Sequence, residues 1–173
     1  RIHPDKATAD AIEIARRANR ALLICGPVQD DQYYTDRVAP HVDGERVRYL
    51  GNVGGEQRRQ VLSQAAALLH PLGFDEPFGL SVIEAMACGT PVVAYRRGAL
   101  PETVDEAVTG MLVDGVDAAV DALPAALALD RARIAAVARQ RFSADRMVDK
   151  YLTVYERLLA TNPAQGHRTV TAP

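Results

Sequence analysis

The sequence predicts an α/β fold in which a parallel β-sheet lies between two layers of helices and a helical end-piece follows. Short apolar runs alternate with segments that repeat apolar residues every three to four positions, which is the pattern of βα units. Glycine and proline stand between these segments, where each unit turns. The 173 residues are the size of one domain, and the 48% that are hydrophobic suffice for one substantial core.

Five apolar runs are predicted to be strands, because each is short and bounded by turn residues. They are ALLIC (21–25), RVRYL (46–50), AALLH (66–70), PVVAY (91–95) and GMLV (110–113). Helical patterns lie between them, including one over 79–88 that ends at Gly89, a residue suited to a left-handed C-terminal cap. Ligands bind at the carboxyl ends of parallel strands, so the residues just after ALLIC, RVRYL and AALLH are candidates for a site.

The end of the chain differs from the rest. From about residue 116 the pattern is helical throughout, and Val148, Leu152, Tyr155 and Leu159 follow one another at spacings of 4, 3 and 4. Residues 161–173 show no periodicity and are predicted to form a flexible tail. The predicted domain therefore covers residues 1–160.

Charge and hydropathy narrow the range of partners. Twenty cationic and 22 anionic residues give a net charge of −2 without a basic block, so we expect no nucleic-acid partner. No apolar stretch approaches the ~20 residues of a membrane-spanning helix, which favours a cytoplasmic location, with peripheral attachment of a longer protein to a membrane left open. Cys25 and Cys88 lie in apolar runs and are interpreted as small buried hydrophobic residues of a reducing compartment.

Two glutamates in DEPFGLSVIEAMACGTPVVAY (75–95) indicate a binding site. Glu84 stands among apolar residues of the predicted helix, where a carboxylate either faces solvent or faces a cleft with a partner. Glu76 precedes the turn into the same helix, which favours the cleft. The first amides of this helix, from Gly79 to Ser81, lack intrahelical acceptors and attract phosphate, whereas carboxylates accept hydrogen bonds from a vicinal diol. A ligand with both phosphates and sugar hydroxyls fits this combination.

A basic pair lies at the other end of the chain, in RIHPDK. Arg1 and Lys6 can both bind phosphate, one as a planar fork and the other as a point charge. For Arg1 alone, ordinary surface charge is the preferred interpretation.

The order of these motifs resembles glycosyltransferase family 4, the retaining enzymes of GT-B architecture that use sugar nucleotides. The similarity covers residues 1 to about 155 and includes RIHPDK, LLICG, VRYLGNV, LLHPLGFDEPFGLSVIEAMACGTPVVAY, GALPETV and AVTGMLV. Its most specific part is the pair of glutamates eight positions apart, with Phe-Gly-Leu between them and EAMACGTPVV from the second glutamate onward. The resemblance implies a three-layer, Rossmann-like domain that forms the C-terminal half of a GT-B fold.

The resemblance also implies roles for ten residues. Three are implied to be catalytic: Arg1 and Lys6 at the donor diphosphate, and Glu76 beside the transferred sugar. Seven are implied to bind the nucleotide sugar: Gly26, Asn52, Val53, Phe78, Gly79, Leu80 and Glu84. Glu84 would hold the ribose hydroxyls, and the loop around Asn52 would meet the base. No metal or other cofactor is expected, since the basic pair and the helix terminus supply the neutralising charge.

The chain departs from the family pattern in three respects. Ala7 replaces the usual glycine after the lysine, and Leu72 replaces a common serine after the proline. The third departure is the expected absence of the N-terminal acceptor domain, together with the strand that leads to Arg1. The final helix of the family packs on that domain, so we expect its apolar face to be uncovered here and residues 1–173 to be poorly soluble.

The sequence thus predicts the donor-binding domain of a hexosyltransferase that retains anomeric configuration, inactive without its acceptor domain. Its expected partners are a nucleotide sugar, that missing domain, and a sugar, lipid or small molecule as acceptor. A sugar-nucleotide epimerase, a phosphorylase of the same fold and a non-catalytic nucleotide-binding module are the alternatives. A dinucleotide oxidoreductase is disfavoured, because GNVGG (51–55) lacks the G-x-G-x-x-G spacing.

Overall fold

The structure is a computed structural model that describes residues 1–161. Its strands are β1 (Leu22–Ile24), β2 (Val47–Tyr49), β3 (Leu68–His70), β4 (Val92–Tyr95) and β5 (Gly110–Val113). Its α-helices are α1 (Thr8–Arg17), α2 (Asp31–Tyr33), α3 (Gly55–Gln64), α4 (Leu80–Ala87), α5 (Leu100–Thr103), α6 (Val116–Leu127), α7 (Arg131–Phe142) and α8 (Ala144–Thr161). All five predicted strands are present, four of them one or two residues shorter than predicted.

All strand pairs within residues 1–161 are parallel, as the α/β prediction requires, but the strands form two sheets rather than one. One sheet pairs β1 with β2, and the other has the order β3-β4-β5. Residues of β1 and of β3 both line a cavity of about 820 Å³. Among the described residues no ladder pairs β1 with β3, whereas paired strands would lie roughly 4.8 Å apart.

The larger sheet is covered by helices on both faces. Successive residues of β4 point to opposite sides: Val92 packs with α4 and α7, and Val93 packs with α1 and α6. Met86 and Ile134 fill the first layer, where both are fully buried. This arrangement confirms the predicted three layers for the sheet β3-β4-β5.

Helix α1 connects the two sheets. Ile14 packs in the same cluster as Val93 of β4, whereas Ile12 packs with Ile24 of β1. Both isoleucines are almost completely buried. The two sheets are therefore held by a shared helix, although no ladder joins them.

Helix α8 buries none of its side chains. Its apolar residues, Met147, Val148, Tyr151, Leu152, Val154, Tyr155, Leu158 and Leu159, are each about half exposed or more. The expectation of an uncovered apolar face is met, whereas poor solubility stays a prediction. The predicted tail lies outside the described residues, except for Thr161, which ends α8.

Two other sequence predictions have mixed outcomes. Cys25 and Cys88 are free thiols, but both are only partly buried, so their interpretation as core residues was wrong. Each stands at the end of its element, Cys25 after β1 and Cys88 after α4, where the chain leaves the core. Across residues 1–161, every helix is too short or too polar to traverse a bilayer.

Candidate functional site

The Lys6–Glu76 ion pair stands at the centre of the site. Lys6 ends a short 3₁₀ turn before α1, and Glu76 lies in the loop between β3 and α4. The Nζ of Lys6 donates to Oε2 of Glu76 at 2.8 Å and lies 4.5 Å from the centre of the Phe74 ring. Both side chains are mostly buried, with 22% and 14% of their surface exposed. Burial opposes ionisation of Glu76, but the hydrogen bond and charge of Lys6 outweigh it and lower its pKa.

The loop that carries Glu76 is fixed from two sides. The amide of Ala99 donates to the carbonyl of Glu76 at 2.8 Å, and the amide of Gly73 donates to the carbonyl of Asp5, also at 2.8 Å. Gly98 has φ +53°, and a Cβ at this position would lie 2.4 Å from the N and O atoms of Glu76. Only glycine permits this approach without displacement of the Glu76 backbone.

The backbone at Ala7 shows why the family pattern has glycine at this position, but it does not explain the alanine of this chain. Ala7 has φ 45° and ψ 47°, the left-handed conformation that glycine adopts without strain. Leu72, the second departure, is buried at 1% exposure and also lines the cavity that lies between β1 and β3.

His70 ends β3 directly behind the ion pair. Its residue surface is 7% exposed, and Nε2 has no hydrogen-bond partner among the described residues. This atom lies 3.9 Å from Oε2 of Glu76. Burial, together with the positive charge of Lys6, lowers the pKa of His70 to about 4, against the opposing charge of Glu76. The imidazole is therefore neutral at physiological pH.

The turn into α4 is built on Gly79, so the helix begins one residue later than the predicted 79–88. Gly79 is the N-cap, with φ 84°, and Leu80 begins the helix. The nearby backbone of Gly79 also helps to lower the pKa of Glu76. The side chains of Phe78 and Leu80 are exposed by 51% and 66%, so this turn presents both backbone and apolar surface to a ligand.

Five other predicted residues line the cavity between the sheets: Arg1, Gly26, Asn52, Val53 and Glu84. Gly26 holds this part together, because its amide donates to the carbonyl of Gly51 and its carbonyl accepts from the Tyr49 hydroxyl, both at 2.8 Å. A Cβ on Gly26 would lie 2.5 Å from the backbone nitrogen of Arg1.

Arg1 and Glu84 each have a polar partner at this cavity. The guanidinium of Arg1 donates to the side-chain carbonyl of Gln29 at 2.8 Å. Glu84 forms a 3.1 Å ion pair with Arg58 of α3. The Glu84 side chain is 37% exposed, so it faces a cleft while remaining accessible to solvent.

The structure brings the predicted residues into two neighbouring groups. Lys6 also lines the cavity, so it connects the group around Arg1 and Glu84 to the group around Glu76 and the turn 78–80. The sequence interpretation missed Arg58, His70 and Gly98. His70 had a signal, because it is the last residue of a predicted strand, where ligands bind. Nothing in the sequence singles out Arg58 from the other arginines.

Metal ligands are not clustered in residues 1–161, since no three histidine, cysteine, aspartate or glutamate side chains there are arranged to share an ion. The expectation of metal-independent chemistry stays a prediction. Positive charge for a ligand phosphate is available from Arg1, from Lys6 and from the start of α4, and Arg20 and Arg58 also line the cavity.

Similar proteins fit this arrangement. Residues 1–141 match the family described as "Glycosyl transferases group 1". The D-inositol 3-phosphate glycosyltransferase of Corynebacterium efficiens is 37% identical over 134 residues, which cover 74% of this chain and 31% of the relative. The enzyme of the same name from Mycolicibacterium smegmatis is 34% identical, with 97% of this chain and 41% of the relative covered. The chain thus spans less than half the length of these relatives.

Solved structures are similar over nearly the whole chain. AviGT4, a glycosyltransferase involved in avilamycin A biosynthesis, has a TM-score of 0.80 and 29% identity, and the match covers 92% of this chain and 50% of AviGT4. Anabaena HepE, solved in complex with UDP-glucose, has a TM-score of 0.71 at 23% identity, covering 89% of this chain and 47% of HepE, and supports the fold alone. The chain therefore belongs to the glycosyl transferases group 1 family.

Proposed function

We propose that the chain is the donor-binding, C-terminal half of a GT-B glycosyltransferase that transfers a hexose from a nucleoside diphosphate sugar with retention of configuration. The observation that carries the proposal is the buried Lys6–Glu76 pair, which lies between a cavity lined by Arg1 and Glu84 and the open start of α4. A nucleotide sugar has a nucleotide that fits the cavity, and a diphosphate and a sugar that fit the ion pair.

The nucleotide would bind in the cavity between the two sheets. Glu84 can accept both hydrogen bonds of a ribose diol, and Arg58, paired with it at 3.1 Å, holds the carboxylate in place. The loop at Asn52 and Val53 lines the same cavity and would meet the base. The backbone at Gly26 is packed against the backbone of Arg1, which also lines this pocket.

The diphosphate and the sugar would lie at the ion pair. Negative charge develops on the leaving diphosphate in the transition state, and Arg1, Lys6 and the amides at the start of α4 can stabilise it. Glu76 would orient the sugar hydroxyls and balance positive charge at the anomeric carbon. Because the pKa of Glu76 is lowered, the carboxylate is ionised at neutral pH and ready for this role.

By this proposal, the acceptor of the transferred sugar binds to a part of the protein outside this chain. The acceptor would be a sugar, a lipid or a small molecule positioned by an N-terminal domain, and the complete enzyme would act in the cytoplasm without a metal. The relatives are named for inositol 3-phosphate, but this chain covers only 31% to 41% of their length.

The alternatives are less well supported. The relatives named above and AviGT4 are glycosyltransferases, which does not favour an epimerase or a phosphorylase. A non-catalytic module would need no buried ion pair beside the nucleotide cavity.

The proposal is tested by product analysis with the complete protein. Incubation with an α-linked nucleoside diphosphate hexose and candidate acceptors should give a product whose anomeric proton shows α configuration by NMR. An inverted product would refute retention. Epimerised donor would support the epimerase, and a requirement for inorganic phosphate would support the phosphorylase.

A further inference from the structure

The Glu76 carboxylate is paired with Lys6, and an unpartnered histidine nitrogen lies close to it. Its Oε2 accepts from Nζ of Lys6 at 2.8 Å and lies 3.9 Å from Nε2 of His70, on a side chain that is 14% exposed. Nε2 of His70 is buried and has no partner in residues 1–161. Buried polar atoms are usually hydrogen-bonded, so an unpartnered nitrogen beside a carboxylate calls for an explanation.

If the proposed function holds, Lys6 has two interactions to make, one with Glu76 and one with the donor diphosphate. In the structure it pairs with Glu76, but in the donor complex its charge is required at the diphosphate. When Nζ moves toward the phosphates, the Glu76 carboxylate loses its strongest hydrogen bond in a largely buried place. Such a group requires a replacement donor to stay ionised and oriented.

We propose that His70 is this replacement, a positioning residue that donates Nε2–H to Glu76 when the donor diphosphate draws Lys6 away. The proposal rests on the proposed function and extends it. The proposal requires the distance between Nε2 of His70 and Oε2 of Glu76 to contract from 3.9 Å to a hydrogen-bond distance of about 2.9 Å. The Glu76 backbone can stay in place, since Ala99 and Gly98 fix it.

A neutral donor suits this role better than a second cation. The pKa of His70, lowered to about 4, keeps the imidazole uncharged at physiological pH. It can therefore orient the carboxylate without neutralising it, and Glu76 keeps the negative charge needed beside the anomeric carbon.

The test compares His70→Phe, which keeps a planar ring but no polar atom, with His70→Gln, whose amide nitrogen can reach the position of Nε2. In the complete protein we expect His70→Phe to lower kcat by about 100-fold. Affinity for UDP-glucose or GDP-mannose, whichever the wild type binds, should change by less than about threefold, and His70→Gln should recover roughly tenfold of the lost kcat.

Two controls separate this role from a structural one. Thr109→Val removes another buried polar group, far along the chain and outside the cavity, and should lower thermal stability while leaving kcat unchanged within about twofold. In a Glu76→Gln background, His70→Phe should have no further effect, because the two residues act as one unit.

The outcomes are distinguishable. If the wild type neither binds nor transfers from any nucleotide sugar, the proposed function fails. If the wild type is active and His70→Phe keeps kcat within about twofold, or lowers it equally in the Glu76→Gln background, the role of His70 is wrong. If His70→Phe does not fold, the effect of His70→Gln is compared in the wild-type and Glu76→Gln backgrounds, and this comparison decides whether His70 acts through Glu76.

Discussion

Lys6 and Glu76, separated by 70 positions in the chain, are joined by a contact of 2.8 Å between Nζ and Oε2. The contact connects the 3₁₀ turn that precedes α1 to the loop that precedes α4. It also places a cation and a carboxylate side by side where, by our proposal, a phosphate and a sugar meet.

Replacement of Lys6 is expected to abolish most turnover. Lys6→Ala removes a positive charge from the leaving diphosphate, so kcat/KM of the complete enzyme should fall by at least about 100-fold. Lys150→Ala is the matched control, because this lysine lies in α8, away from the cavity. Near-wild-type turnover of Lys6→Ala would remove Lys6 from the mechanism.

Gly98→Ala should damage the site through the backbone. The new Cβ would meet the N and O atoms of Glu76 at 2.4 Å, so the loop must shift and donor binding should weaken. Gly44→Ala is the matched control: it also has positive φ, but nothing lies within 4 Å, so only strain of about 1–2 kcal/mol applies. Isothermal titration with the nucleotide sugar compares the two variants, and equal affinities would contradict the packing argument.

Glu84→Gln should reduce nucleotide affinity and leave stability almost unchanged. The ion pair with Arg58 is substantially exposed, so its loss costs at most about 1 kcal/mol of folding free energy. The lost carboxylate would have accepted two ribose hydroxyls, so affinity for the nucleoside diphosphate should fall roughly tenfold or more. Glu106→Gln breaks the similarly exposed pair with Arg96 and serves as the control. Unchanged affinity of Glu84→Gln would sink the assignment of the ribose to this residue.

His70 should make stability depend on pH in the acidic range. Its folded pKa of about 4 lies below the ordinary 6.5, so below pH 6.5 the unfolded chain binds a proton that the folded chain excludes. The free energy of unfolding should therefore fall between pH 6.5 and pH 4, by an amount on the order of 3 kcal/mol. Urea unfolding at a series of pH values gives this free energy, and for His70→Phe it should lack the decrease that His70 contributes. The same dependence on pH for the variant and the wild type would show that His70 is not buried as a neutral base.

The strands were predictable because their local signals agree with the tertiary structure. The run GMLV is β5 without a change of boundary, and PVVAY loses only Pro91, which cannot donate to a ladder. Gly89 has φ 75° at the end of α4, as expected for a left-handed cap. Strand order is a long-range property, so the separation of the strands into two sheets could not be read from these signals.

The sequence named residues that the structure brings close together, but it did not give their contacts. The motif around Glu76 and Glu84 directed attention to α4 and to the loop before it, and five of the predicted residues line one cavity together with Lys6. The partners of those residues come from distant segments: Arg58 for Glu84, and Gly98 for the Glu76 backbone. Contacts of this kind depend on how α3 and the loop after β4 pack, which no local pattern records.

The most direct test of the account is a thermal-shift titration of the complete protein with UDP-glucose, GDP-mannose and ADP-glucose. A ligand that binds only the folded state at 100 times its Kd adds about 2.7 kcal/mol of stability. We predict that one of the three raises Tm in a concentration-dependent manner and that its nucleoside diphosphate does so as well. If none of the three sugar nucleotides or their diphosphates shifts Tm at millimolar concentration, the central claim of a donor-binding domain is contradicted.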